Sequence, residues 1–338
     1  MSNLTLTGLH HISAITGDTA RNVTFYTQTL GLRLIKQTVN QDDVSAYHLF
    51  YGDNIGHPGT EVTFFDFPDA TPNRPGVGMI HEIALHVPDR AALEWWRQHL
   101  ATAALPPRDA DTLAIVDRGG RLALPFADPD GLRVALVADP NETADVRNWQ
   151  PWADSSIPPA VAIRGLASVT VAVARLEPTV TLLTEVLNFR QTGEYTDGEG
   201  LYGGAPVTVY STAAGGLGAE VHLVARPGLP RGVPGVGGVH HVAFRTPDDP
   251  QQVAWRERLV AAGVGVTEVI DRFYFHSLYF REPGHALFEI ATDGPGFTAD
   301  EDAAHLGERL SLPPFLAPYR REIEAQLHPL MESAQAEA

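Results

Sequence analysis

Four stretches of this 338-residue chain open alike, and that repetition constrains the fold more than any other feature. They are "GLHHISAIT" from Gly8, "MIHEIALHV" from Met79, "RGLASVTVAV" from Arg164 and "GVHHVAFRT" from Gly238. Each alternates apolar with other residues and is rich in β-branched side chains, the pattern of a strand. A segment of helical spacing follows each: "DTARNVTFYTQTLG", "DRAALEWWRQHLA", "RLEPTVTLLTEVLN" and "DPQQVAWRERLVAAG". Asp18 or Thr19 can cap the first helix and Gly31 stop it, while Gly263 stops the fourth. Further strand-like runs come next, closing with "TEVTFFDF", "LRVALVAD", "AEVHLVAR" and "HALFEIATD". The unit is strand, helix, then about three strands, written four times in roughly 60 to 75 residues each. The expected fold class is α+β: four βαβββ modules paired into two incomplete barrels, because an open twisted sheet must cover its edge and its concave face.

The stretch "ADPNETADVRNWQPWADSSIPPA", Ala138 to Ala160, has no sustained periodicity and reads as a linker. Modules one and two are expected within 1–150 and modules three and four within 160–297. Residues 298–338 form a C-terminal helical tail, read as a surface appendage. Its two helical patterns, "DEDAAHLGERL" and "PYRREIEAQLHPLME", are split by "SLPP".

Composition excludes several functions. The 24 basic and 41 acidic residues give a net charge of −17, which argues against nucleic acid or an anionic membrane as partner. The absence of cysteine excludes disulfides, zinc–thiolate sites and thiol nucleophiles, and suits a reducing compartment. With no signal-peptide pattern at the start and no apolar run of membrane-spanning length, the expected location is cytoplasmic.

Two histidine pairs interrupt the strands that open modules one and four. Alternation sends neighbouring side chains to opposite faces, so only one member of each pair is expected to face the cup. Aligning the modules sets His11 against His241, with Glu82 and Ser168 at the matched places of modules two and three. Glu289, inside the apolar run "HALFEIATD", is a carboxylate that must be paired, protonated or metal-bound. A lone strand histidine is more often a hydrogen-bonded structural residue than a ligand. Repetition at matched positions, together with Glu289, moves the reading toward a metal.

With these motifs in place, the chain resembles the vicinal oxygen chelate superfamily, the group of glyoxalases, bleomycin-resistance proteins and extradiol dioxygenases. Within it, "LHHI", "YHLFYGD", "GVHHVAF" and "LFEIATDGPGFT" are similar to ring-cleaving dioxygenases that act on hydroquinones. The resemblance runs from about Leu6 into the tail. It implies that His11, His241 and Glu289 hold the metal, so that modules one and four must form one cup and modules two and three the other. It also matches His10, His240, Arg272 and Tyr279 with positions that act on substrate. Two histidines and a carboxylate are the donor set of non-haem Fe(II) oxygenases, and Mn(II) could occupy the same site. The alternation in "DRFYFHSLYF" places Arg272, Tyr274 and His276 on one face, and Ser13 offers a hydroxyl beside His11.

The implied reaction opens an aromatic diol with both atoms of O2, and a homo-oligomer is left open. A metal-dependent isomerase or lyase of the same fold is the alternative. Against it, Phe64 or a neighbour stands where glyoxalases carry a second carboxylate, with Glu61 and Asp66 out of register. A metal-free protein that binds or sequesters an aromatic compound is a third reading. Glu82 and His222 are read as a structural vestige in the second cup. Phe273, Phe275 or Phe288 is expected to wall the metal cup.

Overall fold

The computed structural model describes residues 4–103, 105–106, 113–141, 149–196, 200–328 and 330. Module one comprises β1 (Leu9–Thr16), helix α1 (Thr19–Thr24), β2 (Arg33–Asn40), β3 (Asp43–Gly52) and β4 (Glu61–Asp66). Module two comprises β5 (Met79–His86), α2 (Arg90–Leu100), β6 (Val116–Arg118), β7 (Arg121–Ala127) and β8 (Arg133–Ala138). Module three follows with β9 (Gly165–Val173), α3 (Glu177–Thr181), β10 (Arg190–Thr196), β11 (Pro206–Ser211) and β12 (Glu220–Ala225). The fourth has β13 (Val239–Thr246), α4 (Asp249–Ala261), β14 (Ile270–Asp271), β15 (Phe275–Arg281) and β16 (Leu287–Pro295). Asp18 caps α1 by accepting from the Arg21 N–H, and both α1 and α3 run on into a π-helical turn.

The modules assemble into two eight-stranded sheets. One runs β14-β15-β16-β13-β1-β4-β3-β2 and joins modules four and one; the other runs β10-β11-β12-β9-β5-β8-β7-β6 and joins modules three and two. In each, the two opening strands pair antiparallel at the centre and each closing strand lies parallel to its own opening strand. One apolar core, with Trp96 of α2 and Trp255 of α4 fully buried, spans both sheets. The arms after β4 and β12 cross through isolated bridges, Pro72 to Val236 and Arg74 to Val233, and tie the halves together.

The start of the tail is not a surface appendage. Leu310 bridges Gln37 on the edge strand β2, which covers an otherwise open edge. Beneath it the ammonium of Lys36, fully buried, donates to the Phe297 carbonyl at 3.1 Å and to Asp300 at 2.7 Å, and pairs with Glu301. Phe297 and Leu306 pack with Ile35, Phe50, Tyr274 and Phe275 against the cup of the first sheet. The helical pattern expected over 300–310 yields only a turn at Ala303–His305, because the chain must extend to reach β2. Gly307 makes that possible: at φ +75°, a Cβ there would sit 1.8 Å from the Leu34 carbonyl oxygen. In the second pattern a helix, α5, covers Arg320–Glu324; residues 329 and 331–338 lie outside the described residues.

Candidate functional site

The ladder between β1 and β13 skips a residue twice. Leu9 faces Phe244 and His11 faces Ala243, so His10 is an extra residue; Ser13 faces His241 and Ala14 faces Val239, so His240 is another. Such bulges re-aim side chains that strict alternation would send to opposite faces. One histidine of each pair, His11 and His241, lines the cup as expected, while the bulges bring its neighbour alongside it. The rings of each pair meet, Nδ1 to Nδ1, at 3.0 Å for His10 and His11 and at 2.7 Å for His240 and His241.

From these strands and β16, three donor atoms converge. His11 Nε2 lies 3.2 Å from His241 Nε2 and 3.3 Å from Glu289 Oε2, and His241 Nε2 lies 2.9 Å from the same oxygen. All three residues are buried. Ser277 on β15 donates to Glu289 Oε1 at 2.5 Å, which leaves Oε2 aimed at the two histidines. The Glu289 carboxyl stands well below the usual range: burial pushes it up, and the neighbouring His11 and His241 overcome that.

Hydrogen bonding fixes the tautomers on the His10 side. Burial, with His11 second, lowers the His10 pKa to about 3, so its ring is neutral. Its Nε2 sits 3.0 Å from the Thr292 carbonyl, which can only accept, so Nε2–H donates and Nδ1 must accept. His11 therefore donates from Nδ1, and its neutral form presents a lone pair at Nε2. Lone pairs of like character meeting at about 3 Å repel unless a cation lies between them. A divalent ion with bonds of about 2.1 Å to three adjacent corners of an octahedron needs donors about 3 Å apart, so the residues fit a metal.

A second group of candidate donors, His10, His11 and Glu61, shares His11. Glu61 is buried and its carboxyl is raised well above the usual range, by burial first and then by Asp53 and Glu289. A protonated carboxyl is a poor ligand, and the His10 nitrogens are engaged with His11 and Thr292. Two members of the His11, His241 and Glu289 group, His11 and His241, line a cavity, whereas the other group reaches it through His11 alone.

That cup closes where the two ends of the curled sheet meet. Arg272 forks onto Asp42 of the β2–β3 turn at 2.8 and 3.2 Å, Gln41 donates to the Arg272 carbonyl, and the guanidinium lies 5.4 Å over the Tyr279 ring. Burial, and Glu289 after it, push the Tyr279 hydroxyl up, and its ring stands edge-on to His241. His10 is 1% exposed and sealed from the cup mouth, whereas His240 is exposed. Of the two, His240 alone can trade protons with solvent; His10 orients His11.

Several sequence-based placements need correction. His276 turns away to Asp249 on α4, because a bulge between Phe275 and Ser277 breaks the alternation. Of the three phenylalanines considered, only Phe275 lines the cup; Phe288 is in the inter-sheet core. On β4, where Phe64 or a neighbour is expected, the neighbour Thr63 lies beside Ser13 and Phe64 packs on Tyr26 and Tyr51, so no carboxylate stands there. Sequence reasoning also missed His48. Its ring lies tilted against Phe50 and Phe65, with centroids 4.0 and 4.3 Å away, its Nε2 is 2.9 Å from Thr63 Oγ1, and that hydroxyl meets Ser13 Oγ at 2.7 Å. Burial drives its pKa well below the ordinary value, so it lines the cup as a neutral ring.

Comparison with known proteins agrees with this architecture. MhqA of Bacillus subtilis (strain 168), assigned as a ring-cleaving dioxygenase, is 40% identical over 324 residues, spanning 96% of this chain and 98% of the relative. The chlorohydroquinone/hydroquinone 1,2-dioxygenase of Sphingobium indicum is 31% identical, with 94% of each chain covered. A crystal structure of a Bacillus subtilis protein assigned as a dioxygenase superposes with a TM-score of 0.84 at 36% identity, over 98% of this chain and 99% of that one. Glyoxalase I from Zea mays shares the fold, with a TM-score of 0.57 at 16% identity over 85% and 92% of the two chains. The model of one family matches residues 8–136 and 165–290, nearly all of the four repeated modules, and by that match the chain belongs to the Glyoxalase/Bleomycin resistance protein/Dioxygenase superfamily.

Proposed function

We propose that this chain is a dioxygenase that opens the ring of a hydroquinone, with His11, His241 and Glu289 holding Fe(II). The carrying observation is the convergence of three acceptor atoms at about 3 Å in a cup lined by Phe50, Phe65 and Phe275. His11, His241 and Glu289 would hold Fe(II), which would supply open positions and redox chemistry for a substrate oxygen and O2; Mn(II) would suit the same donors.

The chain's own residues do the rest. The phenylalanines hold a flat ring and exclude water. Arg272 and Tyr279 offer donors to oxygen atoms that gain negative charge during reaction. Burial, with His241 second, lowers the His240 pKa to about 3, so His240 meets an incoming hydroxyl as a neutral ring and relays its proton to solvent without holding it. The isomerase alternative is disfavoured because Thr63 stands on the closing strand of module one at the position where Glu289 stands on that of module four. The relatives named as ring-cleaving and hydroquinone dioxygenases support the choice of substrate class.

An oxygen electrode tests this reading. Protein reconstituted anaerobically with Fe(II) is expected to consume one O2 per hydroquinone, with catechol a poorer substrate. Ring opening of catechols alone would reassign the substrate. Isomerisation of the methylglyoxal hemithioacetal without oxygen uptake would overturn the proposal.

A further inference from the structure

The second sheet repeats the geometry of the first, including its bulges. Glu82 faces Thr170 and Ala84 faces Ser168, just as His11 faces Ala243 and Ser13 faces His241. Glu82 thus stands at the place of His11, and Ala84 at that of Ser13. Carrying the register to the closing strands sets Ala135 against Thr63 and Val137 against Phe65. One strand further, Ala123 is set against His48 and Pro125 against Phe50. The three residues that hydrogen bonds join in the first cup, His48, Thr63 and Ser13, are therefore three alanines in the second. The same backbone plan is complete without them, so the fold does not require this polar chain.

Keeping the chain has a cost, since Ser13 and Thr63 are fully buried and their hydroxyls give up hydration there. The chain also has a direction. Phe50 and Phe65 hold the His48 ring between strands, and Nε2 is tied to Thr63. Nδ1 is left over. It makes no hydrogen bond among the described residues, it is not sealed in the core, and its ring lines the first cup together with His11 and His241. Burial, and then His11 and His241, keep that ring neutral. A neutral imidazole carries one hydrogen, and the Thr63 and Ser13 hydroxyls can turn to serve either tautomer. Nδ1 accepts when Nε2 donates to Thr63, and it donates when Thr63 donates to Nε2. A hydroxyl group, which both donates and accepts, satisfies either state.

We infer that His48 reads the second hydroxyl of the diol, the one that does not go to the metal, through a hydrogen bond at Nδ1, with Thr63 and Ser13 positioning the ring. This rests on the function proposed above and assigns a specificity-determining residue within the same site. The test is anaerobic calorimetric titration of the Fe(II)-loaded chain with hydroquinone and with phenol, which lacks the second hydroxyl. Wild type is expected to bind hydroquinone roughly tenfold more tightly than phenol. His48→Phe keeps an aromatic ring against Phe50 and Phe65 and removes both nitrogens. It is expected to bring the two affinities within about twofold, with phenol binding, iron content and melting temperature unchanged. His48→Asn returns a polar atom near the place of Nδ1 and is expected to recover part of the preference. A preference undiminished in His48→Phe, or lost as fully in His48→Asn, would overturn this inference alone. Failure of the wild type to bind hydroquinone would overturn the proposed function and this inference together.

Discussion

Two cups built on one backbone plan solve the same problem in opposite ways. Each places a carboxylate on its inner face, in a setting where an uncompensated charge is costly. In the second cup Glu82 is neutralised by the chain itself, through Arg118. In the first, Glu289 meets His11 and His241 in place of an arginine, and under the proposed function a metal ion from outside balances its charge. The lesson is that the fold supplies converging strands and bulges, while a few side chains decide whether the cation is covalently part of the protein.

The largest contrast is expected in metal retention. Glu289→Ala or His241→Ala should weaken Fe(II) or Mn(II) binding by more than about 100-fold, because two protein ligands chelate far less well than three. Glu82→Ala, at the matched place, should leave metal content unchanged. Metal analysis after gel filtration measures both, and equal losses would erase the distinction between the cups.

The next effect concerns stability. Arg118→Ala leaves Glu82 buried without a partner and should lower unfolding free energy by about 3–5 kcal/mol, read by urea denaturation. Because the orphaned carboxylate would then favour its protonated form, the loss should be greater at pH 8 than at pH 5. Replacing the pair together, Glu82→Leu with Arg118→Met, should recover most of the stability.

Within the first cup, the two outer histidines should separate. His10 is tied to His11 and to the Thr292 carbonyl, so His10→Ala should reduce metal affinity by about 10–100-fold through misorientation of His11. His240→Ala should retain the ion and slow turnover, with a shifted pH profile. A smaller effect is expected at Glu61. Its carboxyl is held protonated in the folded chain, so above the ordinary carboxyl pKa the folded state binds the extra proton and stability falls as pH rises. Glu61→Gln should remove that decline, matching wild type near pH 4 and exceeding it at pH 8, with metal retained.

Much of this contrast is legible in the sequence. The four opening strands announce themselves by alternation, and the matched histidines with Glu289 are the residues that converge in the first cup. The bulges are not legible, because an extra residue is defined by the partner strand, and Ala243 or Val239 lies more than two hundred residues from β1. For the same reason His48, Ser277 and Thr63 go unseen: each becomes a site residue only through cross-strand neighbours. Nor does the helical pattern of 300–310 reveal that the chain beyond Phe297 seals β2, since Lys36 and the carboxylates that bury it are some 260 residues apart.

The most direct test of the central claim is anomalous diffraction at the iron edge from a crystal loaded anaerobically with Fe(II). The account predicts one peak per chain, within bonding distance of His11 Nε2, His241 Nε2 and Glu289 Oε2, and none in the second cup. A peak among His10, His11 and Glu61, or beside Glu82 and His222, would contradict it.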